Sequence, residues 1–168
     1  MKRTVLCMLA ALLAISALSG CGVPKDKPVT DVWIGDTLAT VQTLETGLEE
    51  SRDVTGSVVT GLSGTRDYAG TEGTLVIKFN PEKQTVAQIS WQATLSETDA
   101  QTLFNKLYAE TEAGFGKPDQ INDNTQNGAI APYICFWNGK GYMLTVALTN
   151  GLLDGTYYCA YSVMIPLS

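Results

Sequence analysis

Two short runs near the middle of the chain limit the folds open to it. Gly73-Thr-Leu-Val-Ile-Lys-Phe79 and Thr85-Val-Ala-Gln-Ile-Ser-Trp91 alternate apolar with polar residues, the period of a strand with one buried face. Pro81-Glu82-Lys83 between them supplies a turn. With Asn80 facing Gln84, the residues Leu75, Ile77 and Phe79 share a face with Ala87, Ile89 and Trp91. A slip of one position would divide that set between core and solvent. An antiparallel hairpin is expected, and its apolar side must be covered.

Helical periodicity supplies the cover. After Ser96 as N-cap, with Asp99 three residues on, Ala100, Leu103, Phe104, Leu107, Tyr108 and Thr111 follow the spacing of one helix face, and Gly114 with Pro118 ends it. A shorter amphipathic helix is expected over residues 36–50, where Leu38, Val41, Leu44 and Leu48 recur behind Asp36 or Thr37 as N-cap. Val54 to Leu62 has β character and leads into a Gly-rich loop through Gly70. Beyond a polar loop, Asp119 to Gly128, come three more β segments: Ile130–Trp137, Tyr142–Leu148 and Thr156–Ile165, the first two joined by Asn138-Gly139-Lys140.

The order is αβββ followed by αβββ, which predicts an α+β fold: tandem repeats forming an antiparallel sheet with helices packed on one face. This order, with Gly116-Lys117-Pro118 at the exit of the second helix, resembles the tandem-repeat fold of β-lactamase-inhibitor protein and the related small outer-membrane assembly lipoproteins. The resemblance implies that helices cover one sheet face while the other can meet a protein partner.

The N-terminus has the form of an export signal. Lys2 and Arg3 precede an apolar run from Val5 to Leu18. As a helix that run rises only about 21 Å, short of the roughly 30 Å hydrocarbon core of a bilayer. It ends in Leu18-Ser19-Gly20-Cys21, which resembles the lipobox of bacterial lipoproteins. The resemblance implies that Cys21 receives a diacylglyceryl group, that residues 1–20 are cleaved, and that the lipidated Cys becomes the N-terminus. Residues 21–31 then form a lipidated tether with Pro24 and Pro28, and residues 32–168 a single α+β domain. Lys25 and Lys27 suit either anionic headgroups or a plain soluble spacer. The expected location is outside the cytoplasm, held to the cell membrane or outer membrane by lipid. Gly22, where proteins retained at an inner membrane commonly carry Asp, points to the outer membrane in a two-membrane host.

Charge and inventory remove several functions. The chain has 11 basic and 17 acidic residues and no His, for a net charge of -6. Nucleic-acid binding is not expected of so acidic a chain, since phosphates are held mainly by Lys and Arg. Acid–base chemistry and metal ligation by His are excluded. Glu49 with Glu50, and Glu110 with Glu112, fall on polar helix faces without a cleft to shift their pKa. Ser63-Gly64-Thr65 lacks the Lys of a phosphate loop, and Asp119, Asn122, Asp123 and Asn124 depart from the calcium-loop spacing. No enzyme, cofactor or metal is expected.

Two cysteines, Cys135 and Cys159, belong to the expected domain. In a simple meander they lie two strands apart, about 9.6 Å, beyond the ~7 Å a disulfide tolerates, which favours buried thiols over a bridge. Seven aromatic residues lie between Tyr133 and Tyr161. With a three-residue loop in the second hairpin, Ile134 and Phe136 join Tyr142, Leu144 and Val146 on the helix-covered face. Tyr133, Cys135 and Trp137 then point outward beside Met143. On the last strand Tyr157, Cys159 and Tyr161 point inward, leaving Tyr158 and Met164 outward. Tyr133, Trp137, Met143, Tyr158 and Met164 form the expected binding surface, unless the N-terminal segment or a loop covers them as a second small core. The expected function is a lipid-anchored, non-enzymatic binding module for an envelope or secreted protein. The alternative is a receptor for a small ligand or glycan that stacks on Tyr133, Trp137 and Tyr158.

Overall fold

A computed structural model describes residues 27–124, 133–151 and 155–166. Its elements in chain order are α1 (Leu38–Leu44), β1 (Glu49–Arg52), β2 (Val59–Tyr68), β3 (Thr71–Asn80), β4 (Thr85–Leu95), α2 (Glu97–Phe115), β5 (Gln120–Asp123), β6 (Tyr133–Gly139), β7 (Tyr142–Asn150) and β8 (Tyr157–Met164). The strands form one antiparallel sheet in the order β1-β2-β3-β4-β8-β7-β6-β5. The fold is α+β. Two local hairpin series meet at the β4–β8 pairing, among the described residues the one strand pairing in the sheet between segments distant in sequence.

Two strands appear that hydropathy does not signal. β1 overlaps the end of the region expected as the first helix, and all four of its residues are exposed. β5 occupies part of the expected loop after Asp119. Both are short outer strands whose side chains bury little, so they carry no apolar alternation to read. The first helix is correspondingly short: Thr37 caps it, Glu45 ends it, and Leu48 lies beyond it. β2 starts at Val59 and replaces the expected Gly-rich loop, while Val54 is fully exposed. Gly64 suits this strand because a Cβ there would stand 2.9 Å from a Leu48 methyl carbon.

The second helix follows its pattern closely. The Ser96 hydroxyl accepts from the Asp99 amide, and Ala100, Leu103, Phe104, Leu107 and Thr111 are buried. The helix continues past Gly114 to Phe115, and Gly116 supplies the positive φ of 81° at its exit. It packs against β4, β7 and β8.

Side-chain rows running across the strands define the core. Leu75 pairs with Trp91, Trp91 with Tyr161, Tyr161 with Val146, and Val146 with Cys135. A second row runs from Leu62 through Ile77, Ile89, Val163 and Leu144 to Trp137. All these residues are buried. The first hairpin places Leu75, Ile77, Ile89 and Trp91 together as expected. Its loop is four residues long, with Asn80 opposite Thr85, and an irregularity lets Phe79 pair with Val86 while Lys78 pairs with Gln88. Ala87 is the extra residue, so Val86 takes its place in the core.

The N-terminal boundary also moves. Val29, Thr30, Val32 and Trp33 are buried, so the folded body includes residues assigned to the tether. Thr30 donates to Glu45 at 2.5 Å, and Glu45 forms an ion pair with Arg66 at 3.2 Å. Trp33 packs on Tyr142 at 5.1 Å and on Phe115 at 5.6 Å between ring centroids. Burial of each large apolar side chain contributes about 1.5–3 kcal/mol, enough to hold this segment as part of the domain.

Trp91 lies across the glycine of the neighbouring strand: its indole N–H donates to the Arg66 carbonyl at 3.0 Å, and a Cβ on Gly73 would come within 2.4 Å of its ring. Gly73→Ala should therefore lower unfolding stability by about 1–3 kcal/mol, the usual range for overpacking, as read by urea denaturation.

Candidate functional site

The sheet's second face is the candidate site. Alternate residues of each core strand point to it, and they are exposed or half-buried where their neighbours are buried. One row runs Ser63, Val76, Ser90, Ser162, Thr145 and Phe136; the adjacent row runs Thr65, Thr74, Gln92, Ala160, Ala147 and Ile134. In a third, Gln88 pairs with Met164 and Met164 with Met143. The side chains from β2–β4 are mainly hydroxyls and amides. Those from β6–β8 include Ile134, Phe136, Met143, Ala147, Ala160 and Met164, interleaved with Asn138, Thr145 and Ser162. None of the side chains that β4, β8, β7 and β6 place here is charged, in a chain with 17 acidic residues. Among the described strand residues, charge on this face is met toward the other side, at Lys78, Glu49 and the Asp67–Glu72 pair. Near the β4–β8 junction the face dips into a depression of about 510 Å³ lined by Ser90, Gln92, Ala160 and Ser162 among others.

The expected surface is divided by this geometry. Met143, Tyr158 and Met164 lie on this face, as expected, and are half-buried. Trp137 does not: it is 3% exposed, pairs with Leu144 in the core, and donates to the Gly116 carbonyl at 2.7 Å. Tyr133 also points to the helix side, where its ring meets Phe104 edge-on at 5.4 Å. Ile134 and Phe136 take the outward positions that the sequence assigned to their neighbours. The cause is one residue of loop length. Gly139 pairs with Tyr142, leaving the two-residue loop Lys140-Gly141 in place of the expected three-residue one, and the parity of β6 reverses. The signal lay in Gly141, whose φ of 83° an L side chain rarely adopts, and in Gly139, which leaves room for the Tyr142 ring.

The same reversal brings Cys135 to the core side, so the two cysteines share a face, separated by β7. Both are free and buried. Burial pushes the Cys135 thiol up to about 11 and the Cys159 thiol up to about 12. Such thiols are poor nucleophiles near neutral pH. Tyr68 and Tyr161 are likewise raised, first by burial; Tyr68 also donates to Glu110 at 2.7 Å. Asp53 is lowered chiefly by its hydrogen bond from Thr55, then by the Val58 amide, and these bonds order the β1–β2 turn. Glu49 and Glu50 lie on β1, not on a helix, and Ser63-Gly64-Thr65 lies within β2. Asp119 accepts from the Asn138 amide at 2.6 Å, and Asn122 and Asp123 belong to β5. Among the described residues no group of three or more His, Cys, Asp or Glu side chains could hold a metal ion. Cys21 lies outside the described residues.

Comparison with protein-family models, curated proteins and solved structures yields no match.

The thiols give a direct check. Cys135 and Cys159 should resist iodoacetamide at pH 8 in the folded protein and react fully in denaturant, as read by peptide mass. Their folded pKa values lie above the unfolded value of about 8.5, so their contribution to stability is full below that pH. It should be lost progressively as pH rises toward 11 and 12, which pH-dependent denaturation would register.

Proposed function

We propose that this protein is a lipid-anchored, extracytoplasmic binding module that holds a protein partner against the second face of its sheet. The observation that carries the reading is the uncharged surface from β4 to β6, with its Phe136–Met143–Met164 apolar area. With 17 acidic residues in the chain, their absence here favours contact with another surface. Phe and Met are enriched at interface cores, and Met side chains adapt their shape to a partner. The role is non-enzymatic, without a cofactor, and the partner is an envelope or secreted protein rather than a nucleic acid.

The two helix-plus-strand units are part of the same reading. We take them as tandem repeats, each a helix followed by four strands rather than three, with their helices on one face. The strand order, which runs outward from β4 and β8 in mirrored sequence, supports this, as does the packing of α2 on β4, β7 and β8. The anchor is Cys21, on the strength of Leu18-Ser19-Gly20-Cys21. No helix among the described residues is long and apolar enough to cross a membrane.

Photocrosslinking in the native cell envelope tests the surface. A photoreactive residue at Met143 or Phe136 should give a discrete crosslinked partner, and one at the exposed Thr98 on α2 should not. Met164→Glu, which puts charge into the apolar area, should weaken capture at least tenfold with an unchanged melting temperature. Equal crosslinking from Thr98, or none from the sheet face, defeats the proposal. For the anchor, Cys21→Ala should abolish incorporation of a labelled fatty acid and release the protein from the membrane fraction.

A further inference from the structure

The two ends of the sheet differ in charge. Antiparallel register brings the β1–β2, β3–β4 and β6–β7 turns and the last residue of β8 to one end, since Arg52 pairs with Val59, Asn80 with Thr85, Gly139 with Tyr142, and Met164 with Gln88 and Met143. The exit of α2 is there too, because Trp137 donates to the Gly116 carbonyl. Most described cations collect at this end. Arg52, Lys78, Lys83, Lys117 and Lys140 are exposed, and the Lys27 ammonium lies 5.7 Å from the Trp33 ring, which itself packs on Phe115 and Tyr142. At the opposite end Asp67 and Glu72 flank the β2–β3 turn, Glu97 and Asp99 open α2, and Asp123 ends β5. Arg66 and Lys106, the remaining cations among the described residues, are ion-paired with Glu45 at 3.2 Å and Glu110 at 3.9 Å.

Carboxylates at the cationic end do not erase this difference. Asp36, Asp53 and Asp119 accept from the main-chain amides of Trp33, Val58 and Asn138 at 2.6, 3.1 and 2.6 Å, while Asp31 and Glu82 are exposed and Glu50 pairs with Arg52. None of the five lysines forms an ion pair among the described residues. Two large apolar side chains are also exposed at this end: Val54 fully, in the β1–β2 turn, and Ile165, just after β8, by 44%. The described chain begins here as well, with Lys27 only six residues beyond Cys21 and Lys25 between them.

A charged lipid surface would sort such ends. Its potential decays over about 8 Å at physiological ionic strength, whereas the eleven residues of β4 extend about 35 Å, so the end turned toward the bilayer is the one that feels it. Exposed lysines are attracted and the five far-end carboxylates are repelled. We propose that the end carrying Lys27, Lys83, Lys117 and Lys140 rests on an anionic bilayer, with Val54 and Ile165 against the interface and the acidic end in the aqueous phase. This orientation rests on the Cys21 anchor proposed above. It leaves the uncharged face from β4 to β6 standing beside the membrane, open to a partner.

Lipidated protein isolated from membranes and reconstituted into vesicles of phosphatidylcholine and phosphatidylglycerol tests this. Cys135 and Cys159 are buried, so a thiol-reactive fluorophore reports from one introduced site, either Ser57→Cys in the β1–β2 turn or Thr98→Cys at the start of α2. A lipid with a nitroxide on its headgroup should quench the Ser57→Cys probe at least threefold more than the Thr98→Cys probe. Lys83→Glu, Lys117→Glu and Lys140→Glu together should equalise the two, as should vesicles of phosphatidylcholine alone. Melting temperature and co-sedimentation with vesicles should not change, because the lipid still holds the chain. Equal quenching of the two probes in the unaltered lysine background, or stronger quenching from Thr98→Cys, overturns the orientation. An undiminished difference in the triple glutamate variant overturns the role of the lysines. Failure of the protein to co-sediment with vesicles at all is a separate result, which overturns the anchor and this orientation with it.

Discussion

The pairing of β4 with β8 is the constraint on which the architecture rests. Each half of the sheet can form through local hairpins, but neither can cover its own apolar rows. Only when Trp91 lies opposite Tyr161 and Ile89 opposite Val163 do those rows run unbroken from Leu75 to Cys135 and from Leu62 to Trp137. The α2 helix then packs on strands from both halves. Because this contact joins distant parts of the chain, it carries the largest loop-closure cost in the sheet and fixes the register of everything on either side.

That register also separates the molecule's two surfaces. Side chains that alternate along a strand face opposite ways, so each buried residue in the rows has a neighbour committed to the other face. Apolar volume at Trp91, Tyr161 and Trp137 leaves Ser90, Ser162 and Phe136 outside. The protein thus carries a packed, helix-bearing side and a broad opposite side that is uncharged from β4 to β6.

Much of this was legible where periodicity was strong. The α2 stripe and its Ser96 cap, the Leu75–Ile77 and Ile89–Trp91 faces, and the inward set Cys159, Tyr161 and Val163 follow from spacing alone. What escaped was governed by single-residue geometry or by segments with little to bury. β1 and β5 are too polar to signal a strand. The bulge at Ala87 exchanges one core residue, whereas the two-residue turn at Lys140-Gly141 exchanges an entire face of β6. The candidate surface was therefore half legible: Met143, Tyr158 and Met164 were placed correctly, but Trp137 and Tyr133 stood where Phe136 and Ile134 belong.

The capture of Val29 and Trp33 by the core has a mechanical consequence. With Cys21 in the bilayer, as proposed above, only residues 22–28 are left to span the gap. Fully drawn out they reach about 25 Å, less than the breadth of an eight-stranded sheet at about 4.8 Å per strand. On that proposal, so short a leash would make the domain a fixture of the lipid surface rather than a float above it, with little freedom to choose which way it faces.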